Sequence, residues 1–317
     1  AIGSETDGSI VCPAGMSGVV GHKPSLGLVS RAGVVPISAE QDTTGPIGRH
    51  VVDVAITLSA LQARDPDDRA TSNYPAGQPT DYAAVLDPRA LHGARIGIWR
   101  LPALGPEVDR ILRTVADTLR ANGATVVDVV PPYQGQLAED ELPALLTEFK
   151  RDINAYLPTR QGGPRTLADL IAYNRGDPAE RTCFAGQELF EQAESAPPPN
   201  DPGYMARRAR LTDLSRRSID ETLAKYHLDA IAAPTNPSAW LTDCAKGDND
   251  IIPSSTPAAV AGYPHATVPA GFIGALPVGV SIFAGRWADA KVLSLASAFE
   301  RVTNARRAPR YLRTVAP

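Results

Sequence analysis

RIGIWRLPALGPEVDRILRTVADTLRANGATVVDVV, residues 95–130, decides the fold class. Residues 95–99 follow the Gly93 turn and read as a short strand. Pro106 stands at a helix-start position, and the segment 106–121 then brings Val108, Ile111, Leu112, Val115, Ala116 and Leu119 to one face at helical spacing. Gly123 is the expected helix stop, and 125–130 is a β-prone run. Strand, helix and strand in that order and at that length make a βαβ-type unit, so the class is α/β.

The segments on either side fit this class. Toward the C-terminus, 228–233, 266–268 and 278–284 read as strands and 290–301 as a helix. Between 137 and 225 the pattern is mainly helical, broken at Gly162-Gly163-Pro164 and at Pro197-Pro198-Pro199. Toward the N-terminus, 51–63 carries Val51, Val54, Ala55, Leu58 and Leu61 at helical spacing, and the turn-rich 65–90 reads as a surface excursion. Residues 1–49, rich in Gly, Ser, Thr and Pro, read as a long, ordered, loop-dominated segment. No internal repeat is visible, so the expectation is one α/β domain with a helical insertion at about 137–225.

Hydrophobic residues are 43% and charged residues 21% of the 317, which predicts a packed core and excludes general disorder. Thirty-one basic against 35 acidic residues give a formal charge of −4, which argues against nucleic-acid binding. Arg207, Arg208, Arg210, Arg216 and Arg217 read as the solvated face of one helix. No apolar run approaches the length of a membrane span, and no leader peptide is legible. The compartment stays open, because the sequence opens at Ala1 without Met. Cys12, Cys183 and Cys244 are widely spaced, with no CxxC or His/Cys cluster, so neither a disulfide framework nor a metal site is expected.

Chemistry is concentrated near the start. In Gly3-Ser4-Glu5-Thr6-Asp7-Gly8-Ser9-Ile10, a Ser follows a Gly-containing turn. Consecutive backbone N–H groups in such a turn form a nest that binds anions and stabilises an acyl-transfer oxyanion, although the same residues also build ordinary β-turns. The string continues through Val11-Cys12-Pro13-Ala14. Gly18-Val19-Val20-Gly21-His22-Lys23-Pro24-Ser25, Val29-Ser30-Arg31 and Asp42-Thr43-Thr44-Gly45-Pro46 follow in order. Weaker strings extend C-terminally: Asp229-Ala230-Ile231-Ala232-Ala233-Pro234-Thr235, Val260-Ala261-Gly262-Tyr263-Pro264, Val268-Pro269-Ala270-Gly271 and Leu276-Pro277-Val278-Gly279-Val280.

Together these strings resemble the second half of the amidase signature. Within that family, residues 5–14, with Asp7 and Val11, and Phe184-Ala185-Gly186-Gln187-Glu188-Leu189 look most like the bacterial peptide amidases. The resemblance implies a mixed β-sheet flanked by helices, with this chain as the C-terminal two-thirds of a single amidase domain. It implies Ser9 as nucleophile, an oxyanion hole from the backbone of Thr6, Asp7 and Gly8, and no metal or organic cofactor. Family enzymes also use a second Ser, held by a cis peptide bond, and a Lys as base. By family spacing both precede Ala1, so a missing N-terminal segment is an expected partner and these 317 residues alone are expected to be inactive. Lys23 matches a position where the family's Lys is structural.

Ordinary readings stand beside these. The five histidines sit in no nucleophile elbow and read as surface or satisfied structural residues. Cys12 lines the pocket or is a small buried apolar residue, and Asp42 and Thr43 contact substrate or fix a loop beside it. Phe184, Gln187 and Glu188 reach the substrate or cover a helix surface. The leading activity is release of ammonia from a carboxamide, above all a peptide C-terminal amide. The alternatives are a broad aliphatic or aryl amidase, the amidase component of a glutamine-dependent tRNA amidotransferase, and a non-catalytic remnant or interaction module.

Overall fold

The computed structural model describes residues 1–181, 186–245, 247 and 254–311. At its centre the quoted stretch forms β4 (Arg95–Trp99), α3 (Pro106–Ala121) and β5 (Thr125–Val129), with β4 and β5 parallel neighbours. Gly105, at φ 90°, caps α3 ahead of Pro106, and Gly123, at φ 88°, turns the chain out of it. The six apolar residues named above are all buried. Each large aliphatic chain so covered contributes roughly 1.5–3 kcal/mol.

Among the described residues, eight strands form one mixed sheet. The remaining strands are β1 (Ile2–Glu5), β2 (Val20–Lys23), β3 (Thr43–Gly48), β6 (Ala230–Pro234), β7 (His265–Ile273) and β8 (Leu276–Phe283). Their order is β1-β3-β2-β7-β8-β6-β4-β5; β4 pairs parallel with β5 and β6, and every other pairing is antiparallel. Period-two alternation sends Ile96, Ile98, Ala232 and Ile282 to one face. There they meet α2 (Val51–Leu61), α3 and α9 (Asp289–Thr303). Trp99, Ile231, Ala233 and Phe283 face the other way, against Ile219 of α7 (Pro202–Tyr226) and Ala258 and Ala261 of α8 (Thr256–Ala261). With helices on both faces, the sheet agrees with the class expected from 95–130.

One reading is extended and three need correction. Residues 1–49 are mostly loop, as read, but they also supply β1, β2, β3 and the short helix α1 (Val11–Met16). Residues 65–90 are not wholly a surface excursion, because Tyr82 is fully buried in the core and donates its hydroxyl to Gln78. Arg208 does not belong to a solvated face. It crosses from α7 to Glu148 of α4 (Gln134–Tyr156), a fully buried carboxylate that also accepts from Ser38 and Tyr204. Finally, Cys244 is disulfide-bonded, while Cys12 is a buried thiol outside any disulfide. Cys183 lies outside the described residues.

The helical region consists of α4, α5 (Leu167–Gly176), α6 (Glu188–Glu194) and α7. Helices α4 and α7 pack together through Leu137, Ala144, Tyr204 and Leu211, and Val260 of α8 joins them. Glu141, two turns into α4, reaches the loop that follows β1. Among the described residues no helix is long and apolar enough to cross a membrane, and no group of three His, Cys, Asp or Glu side chains is arranged to hold a metal ion.

Candidate active site

The loop between β1 and α1, residues 6–9, is pinned from several sides. Glu5 ends β1 fully buried, and its Oε2 accepts from Ile10 N at 2.8 Å and Val11 N at 3.0 Å. Those two amides would otherwise be unsatisfied donors at the start of α1. Burial pushes the Glu5 carboxyl above its ordinary range. Cys12 N donates to Gly8 O at 2.7 Å, closing the loop onto the helix. Thr6 Oγ1 donates to Asp42 Oδ1 at 2.6 Å, and Gln41 Nε2 donates to Thr6 O at 3.2 Å.

Between these anchors Gly8 adopts φ 80°, a left-handed conformation that glycine enters without a Cβ penalty. Ser9 follows it, exposed, and its hydroxyl bonds to no other described residue. Among the described residues, the N–H groups of Asp7, Gly8 and Ser9 donate to no protein acceptor, although the Ile10 and Val11 amides that follow the turn are engaged. An exposed hydroxyl thus stands beside free amides, a combination suited to holding developing negative charge next to a nucleophile.

Asp7 points from this loop toward two helices. Its Oδ2 accepts from Thr256 Oγ1 at 2.5 Å, and Ser255 also bonds to the carboxyl. Its Oδ1 is buried and lacks a conventional donor, but the carboxyl of Glu141, on α4, is in hydrogen-bond contact with Asp7. Burial, then the Glu141 charge, pushes the Asp7 carboxyl well above its ordinary range, and burial raises Glu141 too.

The remaining expected residues separate by geometry. Cys12, 7% exposed, accepts from Asn236 Nδ2 at 3.2 Å. Both Asp42 oxygens are taken: Oδ1 by Thr6, Oδ2 by the amides of Ile37 and Ser38, each at 2.9 Å. Thr43 is buried and donates to Gln41 O at 3.0 Å. This arrangement makes Asp42 and Thr43 a clasp of the neighbouring loop. Lys23 is fully buried and donates to Tyr263 O at 2.6 Å and Pro24 O at 3.3 Å; burial lowers its pKa. Gln187 bonds to Asn174 and Ile171 O within the helical region, Glu188 is exposed, and Phe184 lies outside the described residues.

Two of the histidines depart from the reading of satisfied or surface residues. His50, His92 and His227 are exposed. His22 is fully buried against Asp289 Oδ1 at 3.1 Å, but its Nδ1 has no partner. His265 is fully buried with neither ring nitrogen partnered.

The family model for amidases matches residues 1–293. The chain belongs to the amidase family. The chain superposes on the native peptide amidase of Stenotrophomonas maltophilia with a TM-score of 0.92 and 44% identity, over 98% of this chain and 63% of that one. It is 37% identical to a probable amidase of Arabidopsis thaliana over 320 residues, 98% of this chain and 58% of the relative. One of the proteins that make up the glutamyl-tRNA(Gln) amidotransferase of Roseiflexus castenholzii is 30% identical over 318 residues, 96% of this chain and 63% of the relative. The chain therefore spans about three-fifths of the length of each. The mixed sheet with helices matches the amidase signature fold of the structural relatives.

Proposed function

We propose that the protein carrying this chain hydrolyses carboxamides, releasing ammonia, with a peptide C-terminal amide as the preferred substrate. Ser9 Oγ attacks the amide carbon as a base removes its proton. The carbonyl oxygen, now negative, is held by the backbone N–H groups around Thr6, Asp7, Gly8 and Ser9. The C–N bond breaks, the proton passes from the base to the leaving nitrogen, and ammonia departs. Water then attacks the acyl-Ser9 ester, giving the carboxylic acid and restoring the hydroxyl.

The observation that carries this reading is the exposed Ser9 hydroxyl on a loop whose neighbouring amides have no protein acceptor. A Ser hydroxyl needs a base, and Lys23 is committed to two carbonyls. The second Ser and Lys of the family mechanism are thus assigned to residues beyond these 317, and residues 1–317 alone are assigned no activity. The 44% identity to a peptide amidase, against 30% to the tRNA amidotransferase component, favours a peptide amide over glutamine as ammonia source. No cofactor enters the scheme.

The test is labelling with a fluorophosphonate beside ammonia release from a peptide amide, using the full-length protein and its Ser9→Ala variant. Labelling and turnover in the first and neither in the second are expected. Equal labelling of both would overturn Ser9 as the nucleophile.

A further inference from the structure

We propose that Glu141 is a positioning residue for the Ser9 loop: a proton shared between the carboxyls of Glu141 and Asp7 holds the backbone of residues 7–9 in place. This role rests on Ser9 being the nucleophile.

Two carboxyl groups in hydrogen-bond contact attract only while one proton lies between them; fully ionised, they repel. The surrounding bonds indicate where that proton sits. Asp7 Oδ2 already accepts from Thr256 Oγ1, leaving buried Oδ1 as the atom without a donor. Glu141 Oε1 accepts from Gln41 Nε2 at 2.9 Å. Arg208 Nη1 donates to Gln41 Oε1 at 2.9 Å, so an amide links the guanidinium to the Glu141 carboxylate. Negative charge is therefore favoured on Glu141, and the proton on Asp7 Oδ1, donated across the contact.

The wider charges agree. Arg208 favours ionised Glu141, and Glu148, on the same helix, opposes it. On the Asp7 side, Ser255, which precedes α8, and Thr256, its first residue, supply hydroxyls, and the charged groups within electrostatic reach are Glu5 on β1 and Lys23 on β2. No cation touches Asp7 among the described residues, so burial beside Glu141 keeps it neutral. Asp7 is two residues from Ser9 and contributes one of the free amides. Its side-chain contact thus ties α4 to the geometry in which a carbonyl oxygen would be held.

At the pH where the pair gives up its proton to solvent, the contact becomes repulsive, and the loop loses its hold on α4. A Gln at 141 removes the repulsion at every pH and still offers a donor to Asp7. The experiment compares the full-length protein with Glu141→Gln and Glu141→Ala in two readouts. Infrared pH-difference spectra follow the carbonyl stretch of a buried protonated carboxyl. The pH dependence of kcat/KM is measured on a peptide amide.

The expected result is a carboxylic band and an alkaline inflection that vanish together in Glu141→Gln. Glu141→Ala is expected to lower kcat by about 10²-fold, the scale set by small misplacements in an active site, with KM changing far less. Glu141→Gln is expected to recover most of that loss. If Glu141→Gln keeps the band and inflection at the wild-type pH, the shared proton is overturned, while Ser9 labelling still supports the hydrolase. If Ser9→Ala continues to hydrolyse the amide, the nucleophile assignment falls, and the positioning role falls with it.

Discussion

Thr6 Oγ1 donates to Asp42 Oδ1 at 2.6 Å, joining two loops 36 residues apart and fixing the first residue after β1. The same carboxylate collects the amides of Ile37 and Ser38, so one side chain organises three donors around the candidate nucleophile. Asp42→Ala leaves all three without an acceptor in a buried setting. The expected cost is about 3 kcal/mol, from about 1–3 kcal/mol for each stranded donor with partial relaxation. Kinetically, kcat should fall with Ser9 labelling, because the loop and not the substrate has lost a contact. A rise confined to KM would make Asp42 a substrate contact instead.

Arg208 and Glu148 pose the corresponding question for the helical region. Glu148 is fully buried and accepts two bonds from the guanidinium, at 2.6 and 2.5 Å. Arg208→Met strands a buried negative charge and should cost about 3–5 kcal/mol by denaturant unfolding. Adding Glu148→Gln to the Arg208→Met variant should restore part of that loss, because the stranded charge is gone; of the Ser38 and Tyr204 hydroxyls, which donate to different carboxylate oxygens, one keeps the amide oxygen and the other turns to accept from the new NH2. A double variant no more stable than the single one would place the cost in packing.

The two devices differ in how far sequence exposes them. The unit β4–α3–β5 was legible because a one-sided apolar stripe between two β-prone runs leaves few alternatives, and its first strand and helix fall on the expected residues. The strands of the first 49 residues were not. β2 is Val-Gly-His-Lys and buried throughout, so it carries neither alternation nor β-branched enrichment, and β3 contains Gly45 and Pro46. Ser9 was legible as part of a motif, whereas Glu141 and Gln41 are 132 and 32 residues further along the chain. Only tertiary packing brings them to the loop, and nothing in their local sequence marks it. Arg208 misled for the same reason: in a run of arginines, composition cannot tell which one meets a buried acid.

Gly45 shows why β3 must be poor in side chains. A Cβ there would strike the His22 carbonyl of β2 and come within 2.7 Å of Pro24 Cδ. The backbone carbonyl cannot move aside without parting β2 from β3. β3 also pairs with β1, Gly45 opposite Gly3 and Thr43 opposite Glu5, and β1 leads into the Ser9 loop. Gly45→Ala should destabilise by about 2 kcal/mol, within the range for overpacking. It should reduce Ser9 labelling more than Gly33→Ala, because Gly33 has open space around its would-be Cβ and strains only its own φ of 81°. Thermal unfolding and labelling of the two variants decide this, and equal effects would contradict it.

His265 sets an acid limit on the fold. It is fully buried on β7 beside Phe283, with ring centroids 5.5 Å apart, and neither nitrogen has a partner. Burial first, then Lys23 and His22, hold its pKa well below the ordinary value. The folded protein therefore keeps His265 neutral where the unfolded chain, with a pKa of about 6.5, takes up a proton. The stability associated with the neutral ring is fully present above about pH 6.5 and is lost as pH falls toward the folded pKa, at about 1.4 kcal/mol per pH unit. His265→Leu removes this dependence and two unpartnered nitrogens together. Urea unfolding at pH 8 should find the variant no less stable than wild type. At pH 5 the wild type should have lost more stability than the variant, by at most about 1.4 kcal/mol for each pH unit below 6.5. Parallel pH profiles for the two proteins would mean that the folded state protonates His265 freely, and the buried, unpartnered ring would not then be a source of acid lability.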